Sequence, residues 1–277
     1  MMVNVMFSGL SLASFYFIVS AGLSLVFGVM DILNFANAGL FLAGLYAGWD
    51  SLRLGLPFGW TLLVGAAVSG LLAWGIERWL LAPLVSNPWG QLLTTLGLML
   101  VLDDGVTWVF GPQIQQESLT GWLAGTVHLA GPPFPIYRLL LIGVGVAIWV
   151  GLSVLLHGTR FGLYLRAGVE NRTLVELAGV QVRPLFSLAY ALGGALAGMA
   201  GVLYGPFGGV YPTAGFDTLL LSFIVVVIGG MGSITGTLLG SLVIGLSQAL
   251  VGFFLPNLAL TINVLAMLVV LLVRPYG

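Results

Sequence analysis

The sequence predicts an all-α, polytopic integral membrane protein with about eight to nine transmembrane helices, including discontinuous segments. Three observations support this prediction: only 6% of the 277 residues are charged, 59% are hydrophobic, and the mean hydropathy is +1.12. Soluble domains carry about 25% charged residues, whereas a transmembrane helix needs roughly 20 mostly apolar residues. The composition therefore excludes a soluble enzyme, a disordered chain and a nucleic-acid-binding protein, which would need a basic stripe.

Hydrophobic stretches, divided at charges and at proline or glycine clusters, give nine candidate spans. In chain order they are residues 5–29, 32–49, 60–76, 91–110, 139–157, 185–205, 218–230, 236–255 and 258–273. Together they predict a single transmembrane domain over residues 1–277. The span 218–230 is short and residues 31–37 are a candidate re-entrant break, so a count of eight spans is the alternative.

The positions of arginine orient the chain, because translocating a positive charge across the membrane is costly. Four of the eight arginines lie in the loop 158–184, together with Glu170 and Glu176. A cytoplasmic position for this loop leaves six arginines inside and only Arg53 and Arg138 outside. We therefore expect the loop 158–184 and the C-terminus to be cytoplasmic and, with nine spans, the N-terminus to lie outside.

Many of the 41 glycines recur four residues apart. Small residues at this spacing form a flat stripe that lets two helix backbones approach closely inside a membrane. We expect this stripe to pack helices within the chain; dimerisation or a sliding surface is the alternative. The pairs and triplets are Gly44 and Gly48; Gly194 and Gly198; Gly201 and Gly205; and Gly232, Gly236 and Gly240.

Two polar or glycine-rich segments, residues 29–39 and 229–236, interrupt the apolar runs. Non-helical backbone is tolerated in a membrane where it is buried in protein or lines a wet cavity, and interruptions in both halves of a chain indicate a translocation path. Tight cytoplasmic turns are the alternative. The candidate path residues are Asn34, Asn37, Gly39, Gly229, Gly230, Gly232, Ser233 and Gly236.

Acidic residues in apolar segments are candidates for a different function. An ion-coupled secondary carrier would use an acid such as Asp103 or Asp104; the interpretation that we prefer ends the span at Leu102 and leaves both in the outer interface. Asp217 is interpreted as a helix N-cap. The sequence shows neither a catalytic constellation nor a metal-ligand spacing, and no phosphate-binding GxxxxGK[ST] motif. We therefore predict no catalytic residue, metal or cofactor in this chain.

The loop 158–184 contains a predicted amphipathic helix. Asn171 is a suitable N-cap for a helix over residues 172–178, and Gly179 suits the left-handed position that follows a helix. An apolar face of Leu174, Val175, Leu177 and Ala178 would lie in a groove of a partner protein. The alternative is a helix that lies in the lipid interface.

These segments together resemble the branched-chain amino acid ABC transporter permeases, over residues 9–252 and in the same order. The resemblance includes residues 22–30 (Gly-Leu-Ser-Leu-Val-Phe-Gly-Val-Met) and 33–39 (Leu-Asn-Phe-Ala-Asn-Ala-Gly). It continues in the loop with Arg166-Ala167, Glu170-Asn171 and Gly179-Val180, and then with residues 201–203 and 229–236. Of the two permease types in such transporters, the chain is similar to the shorter one.

The resemblance implies an importer in a bacterial-type plasma membrane. A second homologous permease would complete the path, two cytoplasmic ATPase subunits would hold ATP and Mg²⁺, and an extracytoplasmic solute-binding protein would deliver the substrate. It implies an ATPase-facing coupling loop at residues 158–184, with Arg166, Ala167, Glu170, Asn171 and Gly179. The sequence departs from the family at Leu174, Val175 and Glu176, where relatives usually have small residues, so Glu176 is a candidate for altered pairing with the ATPase. Branched-chain or related amino acids are the expected substrates, with urea, short amides and other small polar solutes as alternatives.

Overall fold

The computed structural model describes residues 2–116, 121–128 and 133–255, together with residues 265, 267, 268 and 272. Within these residues the fold is all-α, as predicted, apart from one small hairpin of β1 Thr126–His128 and β2 Pro133–Pro135. The helices are α1 Met2–Met30, α2 Ala36–Arg53, α3 Phe58–Ile76, α4 Pro88–Phe110, α5 Ile136–Gly158, α6 Arg160–Glu170, α7 Arg172–Leu177, α8 Val182–Gly208, α9 Ala214–Gly229 and α10 Ile234–Phe254.

Among the described residues, six segments are long and apolar enough to cross a membrane: α1, Phe58–Leu84, α4, α5, α8 and α10. The second of these extends α3 through a π-helical turn, Glu77–Leu81, and a 3₁₀ turn, Ala82–Leu84. α2 carries Asp50 and Arg53 near its end and α9 has 16 residues, so these two are less typical spans. The eight helices match the first eight predicted spans in order. The ninth, 258–273, lies outside the continuously described residues.

The centre of the bundle is formed by α1, α2 and α8, which bury Phe17, Phe41 and Tyr190. Glycines allow these helices to approach closely. A Cβ atom on Gly44 of α2 would overlap the backbone of Gly198 of α8, and one on Gly22 of α1 would lie 2.6 Å from the carbonyl oxygen of Gly193. The predicted packing of glycine stripes within the chain is therefore confirmed at these contacts.

The two candidate interruptions are tight turns between helices. Residues 31–35 join α1 to α2, with Asp31 at a φ of 53°, and residues 230–233 join α9 to α10. Both turns lie at one end of the bundle, because a Cβ on Gly28 in the last turn of α1 would be 3.2 Å from the Cα of Gly232. Residues 31–35 thus separate two helices, and a re-entrant break within the membrane at residues 31–37 stays a prediction.

Another discontinuous segment, which the sequence analysis did not single out, lies between α8 and α9. α8 runs parallel to α2, with Gly198 beside Gly44, and continues to Gly208, where Gly209 follows at a φ of 82°. α9 begins at Ala214, yet Gly215 packs against Ala38 and Leu42 in the first half of α2. The chain therefore turns back into the bundle over residues 209–213, and α9 starts inside it. Sixteen helical residues span about 24 Å, which is less than the hydrocarbon core.

Candidate functional site

The loop 158–184 folds as two helices that project from the bundle. Thr159 caps α6 by accepting a hydrogen bond from the Gly162 amide at 3.3 Å. Asn171 caps α7 by accepting one from the Leu174 amide at 3.1 Å, and Gly179 follows at a φ of 83°. The prediction of a capped helix in this loop is confirmed, with its end at Leu177 rather than residue 178. The sequence analysis did not identify α6, although threonine three residues before a helical amide is a cap signal.

α7 has an exposed apolar face. Leu174 is 62% exposed and Leu177 is 80% exposed, while Arg172 and Glu176 pair elsewhere on the helix, with an N–O distance of 2.9 Å. A surface ion pair of this kind adds at most about 1 kcal/mol. The helix thus presents two exposed leucines on its surface. The carboxylate of Glu176 is paired with Arg172.

A cavity of about 380 Å³ brings together residues that the sequence analysis had assigned to two separate sites. Arg166 of α6 lines it together with Gly232 and Ser233 of the α9–α10 turn, and Gly28 of α1 forms another wall. Ala167 accepts the Asn171 amide at 2.9 Å, and Glu170 is exposed at the end of α6. α6 therefore packs against α1 and faces the α9–α10 turn across this cavity.

The glycines of the α9–α10 turn have distinct structural roles. Gly229 and Gly236 lie backbone to backbone, because a Cβ on either would overlap the other's peptide group. Gly230 and Gly232 adopt φ values of 88° and 82°, which favour glycine. Ser233 caps α10 by accepting a hydrogen bond from the Gly236 amide at 3.0 Å. A larger residue at Gly229 or Gly236 would therefore displace α9 from α10.

The remaining candidate path residues lie inside the subunit and do not line this cavity. Asn34 and Asn37 are each 1% exposed, and Asn34 Oδ1 accepts the Tyr190 hydroxyl at 3.2 Å. Asn34 Nδ2 and Asn37 Oδ1 have no partner among the described residues. Gly39 packs against Leu102 of α4. The role of these three residues in a translocation path stays a prediction.

Two interpretations of acidic residues are wrong. α4 continues to Phe110, about two turns beyond Leu102, so Asp103 and Asp104 lie within the helix. The span therefore does not end before them; Asp103 Oδ1 is buried without a described partner. Asp217 is not the N-cap of α9, since Thr213 occupies that position. Its carboxylate accepts the Tyr211 hydroxyl at 3.2 Å.

Glu77 is an acidic residue that is buried at the start of the π-helical turn after α3. It is 3% exposed and accepts the Ser187 hydroxyl. It lines a cavity of about 220 Å³ that also contacts Arg172 and Arg183. A glutamate that directly follows an apolar run and precedes Pro83 by one helical turn and a half could have indicated a distorted helix end.

Comparison with known proteins places these features in one family. The sequence model described as the branched-chain amino acid transport system, permease component, matches residues 5–273. The high-affinity branched-chain amino acid transport system permease protein LivH of Escherichia coli K12 is 28% identical, over 98% of this chain and 93% of the relative. The corresponding permease protein BraD of Pseudomonas aeruginosa is 26% identical, over 87% and 83%.

More distant relatives share part of the chain or only its fold. The ribose import permease protein RbsC of E. coli K12 is 32% identical over 55% of this chain and 50% of the relative. The solved structure of PsaBC from Streptococcus pneumoniae in complex with Fab superimposes with a TM-score of 0.53 at 14% identity, over 96% of this chain and 89% of that one. With the family match extending over almost the whole sequence, this chain belongs to the permease components of branched-chain amino acid transport systems.

Proposed function

We propose that this chain is a transmembrane permease subunit of an ATP-binding cassette importer. With a second homologous permease it forms the path for branched-chain or related amino acids across a bacterial-type inner membrane. Two cytoplasmic ATPase subunits supply energy, and an extracytoplasmic binding protein delivers the substrate. The observation that carries the proposal is the α7 helix, whose apolar face of Leu174 and Leu177 is exposed on a projecting segment.

The contacts of the projecting helices support a mechanical route from the ATPase to the path. α7 is joined to α6 through Asn171, whose amide donates to Ala167. α6 in turn borders the cavity that contains Gly232 and Ser233. A push on α7 when the ATPases close on ATP would therefore pass through α6 to α1, which packs against α6 and, at Gly28, against the α9–α10 turn. Rocking of packed helices about such a contact is the kind of motion that alternating access requires.

In this proposal the partner subunits supply nucleotide binding and most of the substrate selection. The ATPase subunits would hold ATP and Mg²⁺, and their surface would contact the segment of this chain that carries the coupling residues Arg166, Ala167, Glu170, Asn171, Glu176 and Gly179. Substrate selection would lie mainly in the binding protein. LivH and BraD, whose names specify branched-chain amino acids, match most of this chain, which favours these substrates over the ribose named for RbsC, urea or short amides.

The test combines purification with transport. We expect the tagged chain to co-purify with a second permease and two ATPases, and the reconstituted complex to take up radiolabelled leucine when ATP and the binding protein are present. The double change Leu174→Asp and Leu177→Asp should reduce co-purification of the ATPases at least tenfold, since charges in an apolar contact are costly to desolvate. Gln181→Glu, which adds a charge in the exposed segment after α7, is the matched control. Unchanged ATPase binding in the double variant would contradict the assignment of α7.

An ion-coupled carrier is the second candidate, because one carboxylate oxygen of Asp103, Oδ1, is buried without a described partner. Such a carrier would lose uptake when Asp103 and Asp104 are both changed to Asn, and its uptake would follow a proton gradient without ATP. The importer proposal expects the opposite dependence: uptake should require ATP and persist when an ionophore removes the gradient. The two outcomes exclude one another in the same vesicles.

A further inference from the structure

The cavity beside Arg166 is lined both by apolar side chains and by groups that can donate hydrogen bonds. The apolar side chains come mainly from α1, α5 and α6. The donors are an arginine, a histidine and the polar start of α10. The lining is Leu25, Gly28, Val29, Leu156, His157, Leu165, Arg166, Val169, Gly232, Ser233, Ile234 and Thr235. No carboxylate belongs to this lining within the described part of the chain, so the cavity is suited to an anion.

Arg166 supplies the charge of this cavity. Its Nε donates to the Gly162 carbonyl at 3.3 Å, which orients the guanidinium along α6 and leaves its two terminal amino groups for another acceptor. Within the described ranges Arg166 forms no ion pair with an acid, whereas Arg172 does. A planar guanidinium with free donors is the preferred protein group for phosphate oxygens.

The start of α10 adds neutral donors. The amides of Ile234 and Thr235 precede the first intrahelical bond, which runs from the Thr237 amide to the Ser233 carbonyl at 2.8 Å, so they have no partner within the helix. Partial positive charge at this helix end favours a negative ligand. His157 donates Nδ1–H to the Ser153 carbonyl at 3.1 Å.

We propose that this cavity binds the phosphate group of an anionic phospholipid of the inner leaflet. Arg166 and the first amides of α10 would contact the phosphate oxygens, and Leu25, Leu156 and Leu165 would contact the first methylenes of the acyl chains. Basic pockets between membrane helices are known to bind lipid head groups in this way. The bound lipid would join α6 to the α9–α10 turn, two elements that otherwise meet only across the cavity. This inference does not depend on the transported substrate.

Lipid retention measured by native mass spectrometry tests the proposal. The full chain, purified in detergent with the subunits that accompany it, is incubated with dioleoylphosphatidylglycerol. We expect Arg166→Gln to retain about tenfold less lipid, which is the loss expected when one charge-assisted contact is removed. Arg160→Gln removes the same charge from the same helix at an exposed position outside the cavity and should retain lipid as the unaltered chain does. Arg166→Lys keeps the charge and controls for folding, with partial retention expected.

Further measurements distinguish a lipid phosphate from free inorganic phosphate as the ligand. Inorganic phosphate at millimolar concentration should displace little phosphatidylglycerol, because the apolar side chains of the cavity contribute to lipid binding. Complete displacement would show that free phosphate is the ligand and would overturn the lipid assignment. Equal retention by the Arg166→Gln and Arg160→Gln variants would overturn the site itself. Failure of leucine uptake with lipid retention intact would contradict the importer proposal and leave this one standing.

Discussion

At the scale of single residues, the bundle requires glycine where two helices approach most closely. A Cβ on Gly44 would overlap both the Cα and the carbonyl of Gly198, so α2 and α8 would have to separate. We expect Gly44→Val to cost about 1–3 kcal/mol or more of folding free energy, as overpacking of a tight core does. Thermal unfolding in detergent, followed by size-exclusion chromatography, measures this loss as a lower midpoint.

The matched control lies on α5. A Cβ on Gly143 would meet nothing within 4 Å, so Gly143→Val should leave the midpoint where it is in the unaltered chain. Equal midpoints for the two variants would show that α2 and α8 do not pack through Gly44. The four-residue spacing predicted that Gly44 and Gly198 each lie at a close contact between helices. It did not predict that these two glycines contact each other. Spacing along one helix fixes a face, whereas the partner of that face depends on the whole bundle.

At the scale of elements, the turn between α9 and α10 is fitted against α1. Gly230 and Gly232 share nearly the same left-handed φ, but only Gly232 has a neighbour, the backbone of Gly28. We expect Gly232→Leu to abolish leucine uptake in the reconstituted complex, because the side chain would push the turn away from α1, while ATPase subunits still co-purify. Gly230→Leu imposes the same backbone strain with open space around it and should retain more than half of the uptake.

Loss of uptake to the same degree in both variants would trace the effect to backbone strain alone. Uptake by the Gly232→Leu complex at the unaltered rate would show that the contact between this turn and α1 is not required for transport. The two variants therefore separate the conformation of the turn from its contact with α1.

The elements were predictable to different degrees. α7 was predicted with its cap because Asn171 and Gly179 are local signals that act within one helical turn. The gap between the spans 185–205 and 218–230 was predicted, but the return of the chain into the bundle over residues 209–213 was not, because it depends on the packing of Gly215 against α2. For α4, the span 91–110 was predicted to its end, whereas the preferred end at Leu102 followed from two adjacent acids, which resemble a helix end. Asp103 is accommodated beside the buried Tyr46 within the bundle.

At the scale of the whole molecule, composition alone was sufficient for the fold class, because a chain with 6% charged residues cannot remain in water as a compact domain. Eight of nine spans were placed by hydrophobicity. The candidate site was only partly predictable: Arg166 and Gly232 were each singled out, but their meeting at one cavity depends on how α6 folds back against α1. Such long-range contacts are not encoded in any local pattern.

The orientation of the bundle in the membrane was predicted from the arginine distribution. Because the sequence contains no cysteine, single introduced cysteines can test it directly. Thr173 is exposed on α7 and Gln113 is exposed after α4, on the opposite side of α5 in sequence order. Because arginine concentrates in the loop 158–184, we expect a membrane-impermeant maleimide added to intact spheroplasts to label Gln113→Cys and not Thr173→Cys. Both variants should be labelled after the membrane is opened, which controls for reactivity. Labelling of Thr173→Cys in intact spheroplasts would reverse the orientation and place α7 beyond the reach of any cytoplasmic ATPase.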